Sequence, residues 1–214
     1  LPTLPHSETV FARPIPILAS FLLLEGESDG IVPLNPPDGD RFPWFVDDCE
    51  HVKTVSEKIQ ASAAIRRIGN ACFTTGSYNE ALGKYEKAFR YLAPGVCTEE
   101  EQEMMEEEEM IVLGNIAAAK FKLQEFHDVI EVCSNIIKVQ PNNMKARLRR
   151  GMALVEVLGD YSIAIHDLQQ VISNEKESPR SSEAHSYLLR AVDQKKRQEM
   201  GHKKAFSKLF TPLA

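Results

Sequence analysis

The strongest constraint on the fold is a pattern of small and apolar residues that occurs three times, with a period of about 34 residues. The first unit runs from Ala64 to Leu92. Its small residues allow two antiparallel helices to approach, apolar residues at helical spacing fill the seam, and Thr-Gly-Ser at 75–77 forms the turn. The small residues are Gly69, Ala81 and Ala88, and the seam residues are Ile65, Ile68, Tyr85 and Phe89. This unit is therefore predicted to be a helical hairpin.

Two further units continue the pattern, one from about Ile111 to Pro141 and one from Asn143 to about Asn174. The equivalent positions are Asn115, Ala117, Phe126, Val129, Cys133 and Ile136 in the second unit, and Gly151, Tyr161, Ala164, Leu168 and Val171 in the third. Turns are predicted at 124–125 and 159–160. Stacked helix pairs place their first helices along a concave groove, where exposed side chains are available for binding.

The pattern of two helices per unit, with small residues at the eighth and twentieth positions, resembles the tetratricopeptide repeat (TPR). The tryptophan that is frequent near the repeat start is absent. The resemblance implies an all-α fold of three TPR hairpins in a right-handed superhelix, followed by a long C-terminal capping helix. It places an irregular segment at 1–50, the repeats within 51–174 and the capping helix at 179–210. The repeats themselves lie at about 56–93, 103–141 and 143–174.

Basic and amide residues recur at the positions of the three units that face the groove. The first unit reads Arg-Arg-Ile-Gly-Asn at 66–70, the second has Asn at 115, and the third reads Lys-Ala-Arg-Leu-Arg at 145–149. This set resembles the carboxylate clamp of TPR co-chaperones, which reads Lys-x-x-x-Asn, Asn and Lys-x-x-x-Arg. In that family the clamp holds the C-terminal Glu-Glu-Val-Asp of heat-shock chaperones. The clamp residues here would be Arg66, Asn70, Asn115, Lys145 and Arg149, with arginine replacing the usual first lysine.

The proposed ligand suits these residue types, because a C-terminal aspartate has two carboxylates and Arg, Lys and Asn supply donors and positive charge. The resemblance implies heat-shock protein 90 as the partner, with the seventy-kilodalton class as an alternative. Lys120, Phe121 and Arg150 are further candidate peptide contacts. The opposing interpretation treats the clamp residues as solvated side chains of amphipathic helices, Arg150 as an outward residue and Phe121 as core.

An acidic run and a basic helix flank the second and third units. Thr98 and Glu101 form a predicted capping box at the start of an acidic helix that extends to Glu109. After Ser178-Pro179, a basic amphipathic helix is predicted from about Glu183 to Phe210. Capping of the repeats is its expected role, and calmodulin binding is the alternative. The ending Lys-Lys-Ala-Phe-Ser-Lys-Leu-Phe at 203–210 resembles that of immunophilin co-chaperones.

Residues 1–50 hold most of the prolines and lack helical periodicity, which predicts a linker. The acidic and aromatic stretch at 38–48 resembles the connector between isomerase and repeats in cyclophilins of the forty-kilodalton class, and FK506-binding immunophilins are the second choice. Residues 15–27 could be the last strand of either isomerase domain. An alternative function is therefore the TPR part of a peptidyl-prolyl isomerase whose catalytic domain lies before Leu1. A TPR scaffold for another partner is a further alternative.

Composition excludes several other classes. A chain of 214 residues with 43% hydrophobic residues can bury a core without disulfides or metal, and a net charge of −6 argues against nucleic acid. Cys49, Cys72, Cys97 and Cys133 lack metal-ligand spacing, so neither a metal nor another cofactor is expected. No catalytic constellation is visible. Residues 15–24 are too short to span a membrane, so we expect a cytoplasmic, and also nuclear, interaction module.

Overall fold

The computed structural model describes residues 38–44, 52–93, 97–157 and 160–209, with side chains described up to residue 204. Within these residues the chain forms seven helices and no strand, which confirms the all-α fold class. The helices are α1 (Val55–Thr74), α2 (Tyr78–Tyr91), α3 (Glu99–Lys122), α4 (Phe126–Val139), α5 (Met144–Glu156), α6 (Tyr161–Asn174) and α7 (Pro179–Leu209). Predictions for residues 1–37, the chain between 45 and 51, Gly159 and the side chains after 204 lie outside the described residues.

Local side-chain chemistry sets the starts of several helices. Thr54 caps α1 in a capping box with Glu57, and Thr98 caps α3 in the predicted capping box with Glu101. Asn143 caps α5 with a single bond to a backbone N–H. The C-terminal helix begins at Pro179, and proline is favoured in the first turn of a helix.

The helices pack as three consecutive hairpins, α1 with α2, α3 with α4 and α5 with α6, and α7 packs on α6 and α5. Glycine allows close approach in two of these hairpins. A Cβ on Gly69 would lie 2.7 Å from Cε1 of Tyr85, and one on Gly151 would lie 2.9 Å from Cγ of Leu168. The small residues of the repeat pattern therefore work as predicted in the first and third hairpins.

The segment 38–44 has no helix but packs against α2. The carboxylate of Asp40 is buried and accepts hydrogen bonds from Lys84 Nζ at 2.6 Å and Lys87 Nζ at 2.7 Å. The ring of Trp44 stacks on the guanidinium of Arg90, 4.3 Å from centroid to Cζ. This part of the predicted linker is therefore anchored to the first repeat.

Candidate functional site

The first helices of the three hairpins are neighbours, because α1 contacts α3 and α3 contacts α5. Each helix contributes predicted clamp residues: Arg66 and Asn70 from α1, Asn115 from α3, and Lys145 and Arg149 from α5. Residues four apart lie on one helix face, so the two pairs of clamp residues each form a short row along their helix. The packing of α1, α3 and α5 thus assembles residues that are far apart in sequence.

Asn70 is the point where α1, α2 and α3 meet through hydrogen bonds. Its Oδ1 accepts from the hydroxyl of Tyr85 at 2.8 Å and from Nδ2 of Asn115 at 3.1 Å. Burial raises the pKa of Tyr85 to about 12, so the hydroxyl keeps the proton that it donates. These bonds use the side-chain oxygen of Asn70 and one N–H of Asn115. The side-chain NH2 of Asn70 and the second N–H of Asn115 remain as donors for a ligand.

Asn115, Lys145 and Arg149 line one open cavity of about 440 Å³ between α3 and α5. Arg149 is half-buried and Lys145 is exposed. Among the ion pairs of the described residues, none involves either side chain. Burial lowers the pKa of Arg149 from its usual value, yet an arginine keeps its charge in proteins. The cavity therefore presents two cations that an anion could neutralise.

Arg66 differs from the other basic residues of the set because an acidic residue of the chain already holds it. Its Nε donates to Oε1 of Glu108 at 2.7 Å and its Nη2 donates to Oε2 at 3.2 Å. Glu108 lies on α3 and is 7% exposed. Arg66 thus links α1 to α3 through this ion pair, and it does not line the cavity that holds Asn115, Lys145 and Arg149.

A second cavity of about 280 Å³ adjoins the first and shares Lys145 and Arg149 with it. Its apolar lining comes from Phe73, Ala118, Phe121, Leu148 and Met152. Lys122 of α3 and Arg180 and Glu183 of α7 add charged side chains. Phe121 packs edge to face against Phe126, with centroids 5.4 Å apart. Phe121 is half-buried, so it both packs in the core and faces the groove.

Lys120 and Arg150, the other candidate contacts, are each held by acidic residues. Lys120 Nζ donates to Glu125 at 2.7 Å and to Asp128 at 2.6 Å. Burial alone would lower the pKa of Lys120, but these hydrogen bonds outweigh burial and raise it. Arg150 makes two hydrogen bonds, of 2.7 and 3.0 Å, to the fully buried carboxylate of Asp167. The role of Lys120 and Arg150 as peptide contacts stays a prediction. A peptide would have to compete with these acidic residues of the chain for the two side chains.

The sequence reasoning missed Glu107, Glu108 and Asp167. Glu107 lines the larger cavity with the clamp residues. One signal could have found Glu108, because it precedes Asn115 by about two helical turns and so lies on the same face of α3. No sequence pattern indicates the role of Asp167, because its partners Arg147 and Arg150 lie on another helix.

In the residues that the structure describes, no group of three or more His, Cys, Asp or Glu side chains could hold a metal ion. None of the described helices is long and apolar enough to cross a bilayer.

Sequence comparison finds peptidyl-prolyl isomerases. No protein-family model matches the chain. Peptidyl-prolyl cis-trans isomerase FKBP4 of Mus musculus is 29% identical over 160 residues, which are 74% of this chain and 34% of that protein. PASTICCINO1, an isomerase of Arabidopsis thaliana, is 32% identical over 117 residues, which are 53% of this chain and 18% of that protein. The chain therefore spans about a third of the length of FKBP4.

Structure comparison finds TPR domains. The C-terminal TPR-containing domain of a Plasmodium falciparum FK506-binding protein has a TM-score of 0.63 and 22% identity, over 69% of this chain and 97% of that domain. The first TPR of Spaghetti (RPAP3), solved with the HSP90 peptide SRMEEVD, has a TM-score of 0.51 and 23% identity, over 68% and 97%. FKBP4 and the Plasmodium protein belong to the FK506-binding class, the second immunophilin class that the sequence indicated. The chain therefore has the fold of a TPR domain, and the relatives it resembles in sequence are peptidyl-prolyl isomerases.

Proposed function

We propose that this chain is a co-chaperone module that binds the acidic C-terminal tail of heat-shock protein 90, which ends in Glu-Glu-Val-Asp. One observation carries the proposal: Asn115, Lys145 and Arg149 line a single cavity, and Asn70 is hydrogen-bonded to Asn115. Four of the five expected clamp positions are thereby joined, although they come from three helices.

The chemistry of the cavity suits a C-terminal aspartate. Such a residue brings two carboxylates, and each accepts several hydrogen bonds. Arg149 offers a planar fork of donors from a half-buried position, where screening by water is weaker than at the surface. Lys145 adds a mobile point charge at the rim, and the amides of Asn70 and Asn115 add neutral donors. A peptide whose C-terminus is amidated loses one of the two carboxylates.

The second cavity suits the apolar residues of the same tail. Phe121, Leu148 and Met152 offer an apolar surface directly beside Lys145 and Arg149. An extended peptide that places its last carboxylates at the clamp can bring its valine to this surface, because alternate side chains point to opposite sides. Phe121 is the described residue that we assign to this contact.

The comparisons support the ligand class. The TPR domain of RPAP3 that shares this fold was solved with an HSP90 peptide ending in Glu-Glu-Val-Asp. That observation concerns RPAP3, and it supports the proposal here through the shared fold and the residues of this groove. The tail of the seventy-kilodalton chaperone has the same ending, so it serves as the competing ligand in the test.

Calorimetric titration of Met-Glu-Glu-Val-Asp into the protein, beside the same peptide with an amidated C-terminus, tests the proposal. We expect a dissociation constant near 1 μM, about 8 kcal/mol, for the free acid and a large loss on amidation. Arg149→Ala and Lys145→Ala should each weaken binding by at least tenfold, because each removes a charged donor. Lys138→Ala is the matched control, since Lys138 is exposed on α4 and lines neither cavity.

Absence of heat from the free-acid peptide, with the protein shown to be helical by circular dichroism, would contradict the proposal. It would favour a TPR scaffold for another partner. Equal loss from Lys138→Ala and Lys145→Ala would show that net charge, rather than the clamp, attracts the peptide.

A second proposal concerns the longer protein. FKBP4 and PASTICCINO1 are isomerases, and this chain matches 34% of the first and 18% of the second. We propose that the chain is the TPR part of a peptidyl-prolyl isomerase. A full-length transcript that encodes an isomerase domain in the same reading frame would support this, and one without such a domain would contradict it.

Calmodulin remains a proposed partner of α7. Ala184 and Ala191 are buried where α7 packs on the repeats, whereas Leu189 and Met200 are largely exposed. Calmodulin would therefore have to bind the exposed side or displace the helix, and titration with calcium-loaded calmodulin tests this.

A further inference from the structure

The ion pair of Arg66 with Glu108 is the feature of the groove that the proposed function leaves unexplained. Both carboxylate oxygens are engaged, at 2.7 and 3.2 Å, along the edge of the guanidinium formed by Nε and Nη2. The side chain of Glu108 is 9% exposed and that of Arg66 is 20% exposed. This is a bidentate pair with one buried partner, in the geometry that arginine uses to bind a ligand carboxylate.

The position of the pair relates it to the clamp. Arg66 lies one helical turn before Asn70 on α1, and Glu108 lies about two turns before Asn115 on α3. The pair therefore bridges α1 and α3 beside the hydrogen bond between Asn70 and Asn115. A peptide carboxylate at this hydrogen bond would meet Arg66 with its charge already compensated and one donor edge already occupied.

We infer that Glu108 is an internal competitor of the ligand carboxylate for Arg66, an inference that rests on the proposed function. In the free protein Glu108 satisfies this arm of the clamp, so the ligand must either displace Glu108 or use the remaining Nη1 donors. Glu108 thereby lowers the affinity for acidic C-terminal peptides. It also leaves the α5 side of the clamp, with Lys145 and Arg149, as the dominant anchor.

Glu107, the residue before Glu108, also lowers the affinity for an acidic peptide. Glu107 lines the cavity that holds Asn115, Lys145 and Arg149, so a second carboxylate faces the ligand. Like charges within such a groove repel an acidic peptide. Glu108 differs from Glu107 because it also removes a donor edge, and a test can separate these two effects.

A purely structural brace between α1 and α3 is the opposing explanation. A brace predicts that removal of Glu108 lowers stability and leaves peptide affinity unchanged or weaker. Competition predicts that the same change strengthens binding, and that the gain depends on Arg66.

The test is calorimetric titration of free-acid Met-Glu-Glu-Val-Asp into Glu108→Gln and the matched control Glu106→Gln. Glu106 lies on the same helix, is exposed and bonds Gln102 one turn earlier. Both variants remove one negative charge, so long-range electrostatics change alike. We expect Glu108→Gln to bind about fivefold more tightly and Glu106→Gln to change binding by less than twofold. Arg66→Ala combined with Glu108→Gln should lose this gain.

Equal affinity of the two single variants, or weaker binding by folded Glu108→Gln, would overturn the inference and leave the clamp intact. Lack of binding by both the wild-type protein and Glu108→Gln would overturn the proposed function together with the inference. Binding by Glu108→Gln alone would support the inference. If Glu108→Gln does not fold, Glu108→Asp replaces it, because it keeps the charge but shortens the reach to Arg66, and tighter binding is again expected.

Discussion

Four arginines near the groove differ in role because acidic residues reach only some of them. Arg147 and Arg150 on α5 share the buried carboxylate of Asp167, and Arg66 is paired with Glu108. Arg149 lies beside Arg150 in sequence but forms no ion pair among the described residues, and Glu183 is the acidic residue that shares its cavity. Asp167 on α6 reaches Arg147 and Arg150 but does not pair with Arg149, which therefore keeps its donors for a ligand. The spacing of the arginines along α5 does not reveal this difference.

The network at Asp167 leads to a prediction about stability. Asp167 is fully buried and accepts from Arg147 at 2.8 Å and from Arg150 at 2.7 Å. Asp167→Asn leaves two arginines without a counter-charge in a buried site, so the free energy of unfolding should fall by about 3 kcal/mol. Urea denaturation followed by circular dichroism measures this change. Asp193→Asn is the control, because its pair with Arg197 is exposed and should contribute less than about 1 kcal/mol. Equal effects of the two changes would contradict the role assigned to Asp167.

Secondary structure was predictable from the sequence, since the spacing of small and apolar residues acts within one hairpin. Gly69 against Tyr85 and the Thr98 capping box are local relations of this kind. The clamp positions were recognisable as a motif, but their partners were not. The bond from Arg66 to Glu108 spans 42 residues, and neither helix alone indicates it. Contacts between helices, which the sequence pattern does not show, therefore determine which of the predicted clamp side chains have donors available for a ligand.

The segment 38–44 shows the same limit, because its anchor lies far away in the sequence. Asp40 bonds Lys84 and Lys87, which are 44 and 47 residues away. The hydroxyl of Tyr91 donates to the carbonyl of Pro43 at 2.6 Å, and Lys87 Nζ donates to the carbonyl of Phe42. The composition predicted an irregular segment, but the buried carboxylate on two lysines gives that segment a fixed place on α2.

Trp44 provides a probe for this attachment, since it is the single tryptophan of the chain. Asp40→Ala removes the buried carboxylate that both lysines share, which leaves Lys84 with Asp38 and Lys87 with the carbonyl of Phe42. The segment should therefore loosen, and the indole should move away from Arg90. We expect the fluorescence maximum of Trp44 to move to longer wavelength and acrylamide quenching to increase, while the helical circular dichroism is retained. Arg41→Ala is the matched control, because Arg41 lies in the same segment and is exposed. An unchanged emission spectrum in Asp40→Ala would show that the aromatic contacts alone hold the segment.

Charge is distributed unevenly over the whole molecule, and this affects how the groove attracts a ligand. The chain carries a net charge of −6, and the first turns of α3 are acidic. Under the proposed function, a ligand with several carboxylates would be repelled at long range by the net charge and attracted at short range by Lys122, Lys145 and Arg149. The stacking of the first helices produces this arrangement, because it brings Lys122 of α3 and Lys145 and Arg149 of α5 to the two adjoining cavities.

Salt dependence distinguishes the short-range attraction from the long-range repulsion. Raising sodium chloride from 50 to 500 mM shortens the Debye length from about 14 to about 4 Å, which screens both effects. Lys145 is exposed and Arg149 is half-buried, so the ion pairs that they would form with the peptide carboxylates are open to screening by salt. We therefore expect free-acid peptide binding to weaken by about five- to tenfold. Titrations in Glu107→Gln, which removes a repelling charge from the cavity, should show a steeper loss with salt. Binding that is independent of salt would mean that the apolar surface around Phe121, rather than the cations of α5, supplies most of the affinity.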